Sequence, residues 1–231
     1  MKRISVCLAV IALCGACTTK TIVKDGPPQK LPPLERFFSV FEKDLQNTAR
    51  VIAEQELVKN LTHLQKMNYG GQRYYPLERE ALTKMIRELS SYEYAECILL
   101  NKSGTIIYTM FDDKIFAKQA DSFPATIGSL FNNGKESPYI LDIIEFPPIS
   151  GRYLLFFSIP VMRDGTMEGL IIAAVSADDI VKHAAFRGSA VDHNGLIRLN
   201  PDHAKIFTYD RSVRPGEEFR YRNLEWRLTG D

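Results

Sequence analysis

The sequence predicts an α+β fold: a long N-terminal helix packed on a mainly antiparallel five-stranded sheet, followed by an abbreviated second lobe. Between Leu34 and Leu89 apolar residues recur at three- and four-residue steps, the spacing of helices buried along one side. Beyond residue 92 the period becomes two, or a continuous apolar run, as strands require. Short polar turns join these runs, which suits antiparallel neighbours. With 231 residues, 45% hydrophobic and 25% charged, the chain holds one domain or one and a fraction, and is too apolar to be disordered. Its 29 Lys+Arg against 28 Asp+Glu leave no basic surplus, so nucleic acid is not an expected partner.

Residues 1–17 read MKRISVCLAVIALCGAC. Lys2 and Arg3 make a positive n-region, and Ile4–Leu13 is apolar but too short to span a bilayer, which takes roughly 20 residues. It fits the h-region of a signal peptide. Gly15-Ala16 before Cys17 resembles the lipobox of bacterial lipoproteins, in which the cysteine receives the lipid; Cys14 stands where that box usually has an aliphatic residue. The resemblance implies cleavage after residue 16, lipidation at Cys17 and anchoring to a membrane. Thr18, in place of an acidic residue, points by the same resemblance to the outer membrane, facing the periplasm or the surface. Of four cysteines only Cys97 then remains as a free thiol, so no intrachain disulfide is expected, and its apolar run marks it as core.

Residues 17–33 follow as a Pro-rich tether. From Leu34 through Phe37, Phe38, Phe41, Leu45, Ala49, Ile52, Leu57, Leu61 and Leu64 the spacing predicts one helix of about 30 residues. The stripe Phe37, Phe38, Phe41 reads as core or as the seam of a homodimer formed through that helix. Tyr69-Gly70-Gly71 ends it, and a second helix starts near Pro76 with Leu77, Ala81, Leu82, Met85, Ile86 and Leu89 on one face. Strands are expected at Ala95–Leu100, Thr105–Met110, Tyr139–Phe146, Arg152–Met162 and Met167–Ser176. Asn101-Lys102-Ser103-Gly104 and Arg163-Asp164-Gly165-Thr166 read as tight turns between them.

CILLNKSGTIIYT and YLLFFSIPVMRDGTMEGLIIAAVSADDI, behind a long helix and a short one, resemble the first and last hairpins of Cache sensor domains, extracytoplasmic relatives of the PAS fold. The resemblance covers residues 34–183. GSAVDHNGLIRLNPD is similar to the opening hairpin of the second lobe in double Cache modules; residues 184–231 are too few for a complete lobe, and Arg220–Thr229 is expected to supply one closing strand around Trp226.

The resemblance implies a PAS-like sheet with a small-molecule pocket between the sheet and its covering elements. Relatives relay occupancy through a transmembrane helix. This chain shows none, and nothing follows residue 231, so it is expected to act through a separate partner. The stretch 112–140 lacks the Arg-x-Trp-Tyr element of the amino-acid-binding subgroup, and Ala174 stands at the position of its strand aspartate. An ammonium group would lose its counter-ion there. Strand parity makes Leu170, Ile172, Ala174 and Ser176 one face, and Tyr153, Leu155, Phe157 and Ile159 a face of the neighbouring strand. Tyr108, Tyr139 and Arg152 lie near strand ends. The expected ligand-binding set is therefore Tyr108, Tyr139, Arg152, Tyr153, Phe157, Ala174 and Ser176. Arg152 would anchor a carboxylate; a mostly apolar pocket would take an apolar or aromatic metabolite.

No cofactor, metal or catalytic residue is expected. His63, His183, His193 and His203 lack metal-motif companions, Ser176 and Ser189 lack a nucleophile elbow, and the glycines form no phosphate loop. The remaining reading is a structural or interaction lipoprotein of the cell envelope that keeps the fold without a ligand and docks a protein partner.

Overall fold

The computed structural model describes residues 33–67, 75–111, 113–146, 152–209 and 217–229. The signal-peptide and Cys17 readings lie outside them, as does the tether up to residue 32. Among the described residues no helix is long and apolar enough to cross a membrane.

Helix α1 (Pro33–Glu54) buries Leu34, Phe37, Phe38, Phe41, Leu45, Ala49 and Ile52. Its outward positions Arg36, Ser39, Lys43, Gln46 and Arg50 are polar and exposed, so the aromatic stripe is core rather than an exposed seam. The expected single helix is interrupted. Glu56 takes a left-handed φ of 54°, and α2 (Leu57–Met67) begins after it. No glycine or proline marks the break. It is held from outside: Arg163 Nη2 donates to Glu56 Oε1 at 2.7 Å, and Val58 seats on Gly169, where a Cβ would lie 2.3 Å from the Leu100 carbonyl oxygen. The bend lets α1 cover one half of the sheet and α2 the other.

Helix α3 (Tyr75–Leu89) buries Leu82 and Ile86, whereas Leu77, expected on the same face, is 66% exposed. The sheet strands are β1 (Glu96–Asn101), β2 (Ile106–Thr109), β3 (Tyr139–Glu145), β4 (Tyr153–Arg163) and β5 (Thr166–Ser176), in spatial order β2-β1-β5-β4-β3, all antiparallel. Each lies within a residue or two of its expected position, because alternating burial and turn residues are both local signals. Between β2 and β3, short 3-10 and π turns and the one-turn helix α4 (Ser129–Asn133) form a lid over the sheet face opposite α1.

Helix α5 (Ala177–His183) leads to a second sheet of β6 (Ser189–Val191), β7 (Ile197–Leu199), β8 (Glu217–Tyr221) and β9 (Leu224–Thr229), in order β7-β6-β9-β8. The single strand expected at 220–229 is thus a hairpin, turning at Arg222-Asn223 with Arg222 at φ 55°. The run RYRNLEWRLT carries no glycine at the turn, which hid it.

Helix α1 is shared by both sheets. Phe38 packs 5.7 Å from Phe157 of β4 and 5.6 Å from Phe219 of β8. Buried Glu42 accepts from Arg222 Nε and Nη2 at 3.0 and 2.5 Å and from Tyr221 Oη at 2.9 Å, tying the helix to the β8–β9 turn. The outer edge of β3 receives the second sheet. The Asn223 side-chain amide accepts from Ile140 N at 2.9 Å and donates to Ile140 O at 2.7 Å, imitating one residue of a neighbouring strand. Arg198 joins Asp192 at 2.9 Å and Asp142 at 3.4 Å, and Trp226 Nε1 donates to Asp142.

Candidate ligand site

Two apolar layers flank the main sheet. The α1 side holds Cys97, Leu99, Tyr108, Leu155, Phe157, Ile171, Ala173 and Val175; burial pushes the Cys97 thiol well up, as suits an inert core cysteine. The lid side holds Ile98, Leu100, Ile106, Phe156, Leu170, Ile172 and Ala174, covered by Ile115, Ala120, Ile127, Leu130 and Phe131 of the lid. The lid is sewn to the β1–β2 turn by Ala120 N to Gly104 O at 2.8 Å and by Gln119 Nε2 to Thr105 Oγ1 at 2.9 Å. Gly104 has φ 80°, and a Cβ there would press on the Phe131 ring at 3.1 Å. At the lid's far end Gly134 abuts Ser158 Oγ, which donates to Tyr139 O at 3.2 Å.

One corner of the lid side is polar. Glu96, 1% exposed, stands opposite Ala174 on the adjacent strand, and Phe156 stands opposite Ala174 on the other. Glu96 Oε1 accepts from Cys97 N at 2.8 Å, Met110 N at 2.7 Å and Phe111 N at 3.2 Å. Thr109, paired across strands with Ile98, belongs to the same face; its hydroxyl is buried and makes no hydrogen bond. A buried hydroxyl without a partner is uncommon. Arg79 of α3 closes this corner from outside, donating to Thr109 O at 3.0 Å and Met110 O at 2.8 Å.

The expected site residues do not converge. Ala174 lies on the lid side, and half-buried Tyr139 packs against that layer. Ser176 has the same parity but caps α5, accepting from Asp179 N at 3.1 Å and donating to Asp179 Oδ2 at 2.5 Å. Phe157 lies on the α1 side between Phe38 and Phe41, as does Tyr108, whose hydroxyl is 2.8 Å from Thr83 Oγ1. Tyr153 stacks edge-on against Phe207, and Arg152 is exposed ahead of β4. Parity within each strand holds. The register between strands is what differs, because Phe156 faces Ala174 and Phe157 faces Ala173. A one-residue offset moves a whole strand to the other face. Glu96, Thr109 and Phe156 were missed; a lone acid in the apolar run beginning at Ala95 was the available signal.

Among the described residues no group of three or more His, Cys, Asp or Glu is placed to hold a metal. His183 stacks on Phe37, His203 contacts Asp178, and His193 is exposed in its turn.

This geometry has known counterparts. The sensor domain of the V. cholerae histidine kinase DctB superposes with a TM-score of 0.53 at 17% identity, covering 79% of this chain and 69% of that one. The ligand-binding domain of the Pseudomonas fluorescens chemoreceptor CtaA, in complex with L-alanine, gives 0.53 at 13%, covering 84% and 80%. An extracellular ligand-binding receptor from Desulfohalobium retbaense gives 0.52 at 16%, covering 82% of this chain and 34% of that chain. The fold is that of Cache-like sensor domains. No family model matches the sequence, and no curated protein does.

Proposed function

We propose that this chain is an extracytoplasmic small-molecule-binding module, a sensor or capture domain, held to the outer membrane by a lipid on Cys17 and passing occupancy to a partner protein. The observation that carries the reading is the lid-covered face around Ala174, where an apolar layer meets one polar corner made by Glu96 and the unpartnered hydroxyl of Thr109. Neighbours of the same fold are sensor and ligand-binding domains. The first half of the lid is tied by backbone hydrogen bonds to Ile106 of β2 and to the β1–β2 turn, whereas Ile127, Leu130 and Phe131 meet the sheet through side chains, so a ligand reaches the face when that second half lifts. Arg152 lies outside that face and a carboxylate already occupies the corner, which favours an apolar or aromatic metabolite with one hydrogen-bonding group over a carboxylate. A thermal-shift screen across metabolite classes tests this. An apolar or aromatic compound at saturating concentration is expected to raise the midpoint by about 5 °C. A midpoint that no class moves contradicts the reading.

The second reading, an envelope interaction module without a ligand, is favoured by the close filling of the same face by lid side chains. It predicts an unmoved midpoint together with a protein crosslinked to the chain in the envelope.

A further inference from the structure

The two sheets share one plan, and among the described residues the second has four strands to the first's five. The main sheet runs β2-β1-β5-β4-β3, and the second runs β7-β6-β9-β8. In each, the first hairpin (β1–β2, β6–β7) is joined through its first strand to the second strand of the last hairpin (β4–β5, β8–β9). β8 therefore corresponds to β4, and among the described residues nothing stands where β3 would lie. We propose that a second copy of this chain fills that position, β8 pairing antiparallel with β8 of the copy about a twofold axis at Phe219 to make one continuous eight-stranded sheet.

The backbone and the charges select this pairing. The two-residue turn at Arg222-Asn223 makes Tyr221–Leu224 a hydrogen-bonded pair, and alternation makes Phe219–Trp226 and Glu217–Leu228 the next ones. The N–H and C=O groups of Glu218 and Arg220 consequently point to the outer edge. An unpaired edge is a template for another strand. With the axis at Phe219, Glu218 stands opposite Arg220 of the copy, and Arg220 opposite Glu218, so four backbone hydrogen bonds form and two opposite-charge pairs align. Sliding the register either way, while keeping the same groups outward, sets Glu218 against itself or Arg220 against itself. Like charges directly opposite are unfavourable. Phe219 points inward to Phe38, so Glu218 and Arg220 share the exposed face, and their contacts within the chain are surface pairs at 3.2 Å between them and 3.8 Å to Glu225. An open groove of about 430 Å³ lined by Glu35, Glu217, Glu218, Phe219, Arg220 and Leu228 runs along this edge.

The test is sedimentation equilibrium of the full chain in detergent, up to near-millimolar concentration. The parent is compared with Glu218→Arg, Arg220→Glu and the double swap, all exposed positions that leave the core intact. The expected result is a dimer in the parent, about tenfold or weaker association in each single variant, and recovery in the double swap. A parent that stays monomeric overturns the proposal, as does a dimer indifferent to the single reversals. A monomer whose β8 edge instead crosslinks to a different envelope protein also overturns it.

Discussion

At the residue scale, the polar groups that join the two sheets are built around charges removed from water. Half-buried Asp142 is the case whose titration shows it. Burial pushes its carboxyl above the ordinary carboxylate range, while the Arg198 guanidinium and the Ile143 amide oppose the rise. Asp192, on the other side of Arg198, is held below its ordinary range: burial acts to raise it, but the backbone amides of Leu196 and Asn194 and the Arg198 guanidinium together outweigh that. The two therefore act with opposite sign. A carboxyl raised on folding binds its proton more tightly in the native state. Its stabilisation is complete below the unfolded value and is lost as pH rises through the folded one. Asp142→Asn keeps an oxygen for Trp226 Nε1 and Ile143 N and removes the titration, and Arg198 keeps Asp192. Urea melts at a series of pH values are expected to show the parent losing stability relative to Asp142→Asn as pH rises from about 4 through the weakly acid range. A difference that is flat, or that slopes the other way, contradicts the assignment. Nothing in the sequence flagged Asp142, because its partner Trp226 lies 84 positions away.

At the element scale, the strands were legible and their mutual register was not. Alternation and turn residues fix where β1 to β5 begin and end, since both are properties of a few consecutive residues. Which face of β4 meets which face of β5 depends on the turn at Asp164-Gly165 and on a bulge between Val161 and Met162. That bulge shifts the pairing by one residue and carries Phe157 away from Ala174. The break between α1 and α2 was hidden for a similar reason, being imposed from the sheet by Arg163 and Gly169. Gly169→Ala tests that account. Its Cβ would meet the Leu100 carbonyl and the Val58 methyl groups, at 2.3 and 3.2 Å, and backbone cannot yield as a flexible side chain does. The substitution is expected to cost roughly 2 kcal/mol or more in a urea melt with an unchanged slope. A cost under about 0.5 kcal/mol, as for an ordinary surface change, would show that α2 does not depend on this close approach.

At the scale of the whole molecule, one helix supports two sheets, and the face turned away from it carries the lid. The chain order, a long helix, a short helix, a first hairpin and a last hairpin, was readable from periodicity and turns, whereas the bend in the long helix and the lid between β2 and β3 were not. The candidate site was readable only at Ala174 and in part at Tyr139, because a site assembled across several strands needs the register that a single sequence leaves open. Glu96 and Thr109 complete the corner from strands whose own patterns read as plain core. If the face around Ala174 receives a small molecule, the chain isolated from its envelope carries that molecule with it. Native mass spectrometry of the gently extracted full chain, before and after denaturation, measures this most directly, with Ala174→Phe as the filled-site control. Its own cooperative melt verifies that this variant folds. The account predicts an added small-molecule mass on the parent that denaturation releases and that Ala174→Phe lacks. A bare parent chain, or the same added mass on both proteins, would contradict it.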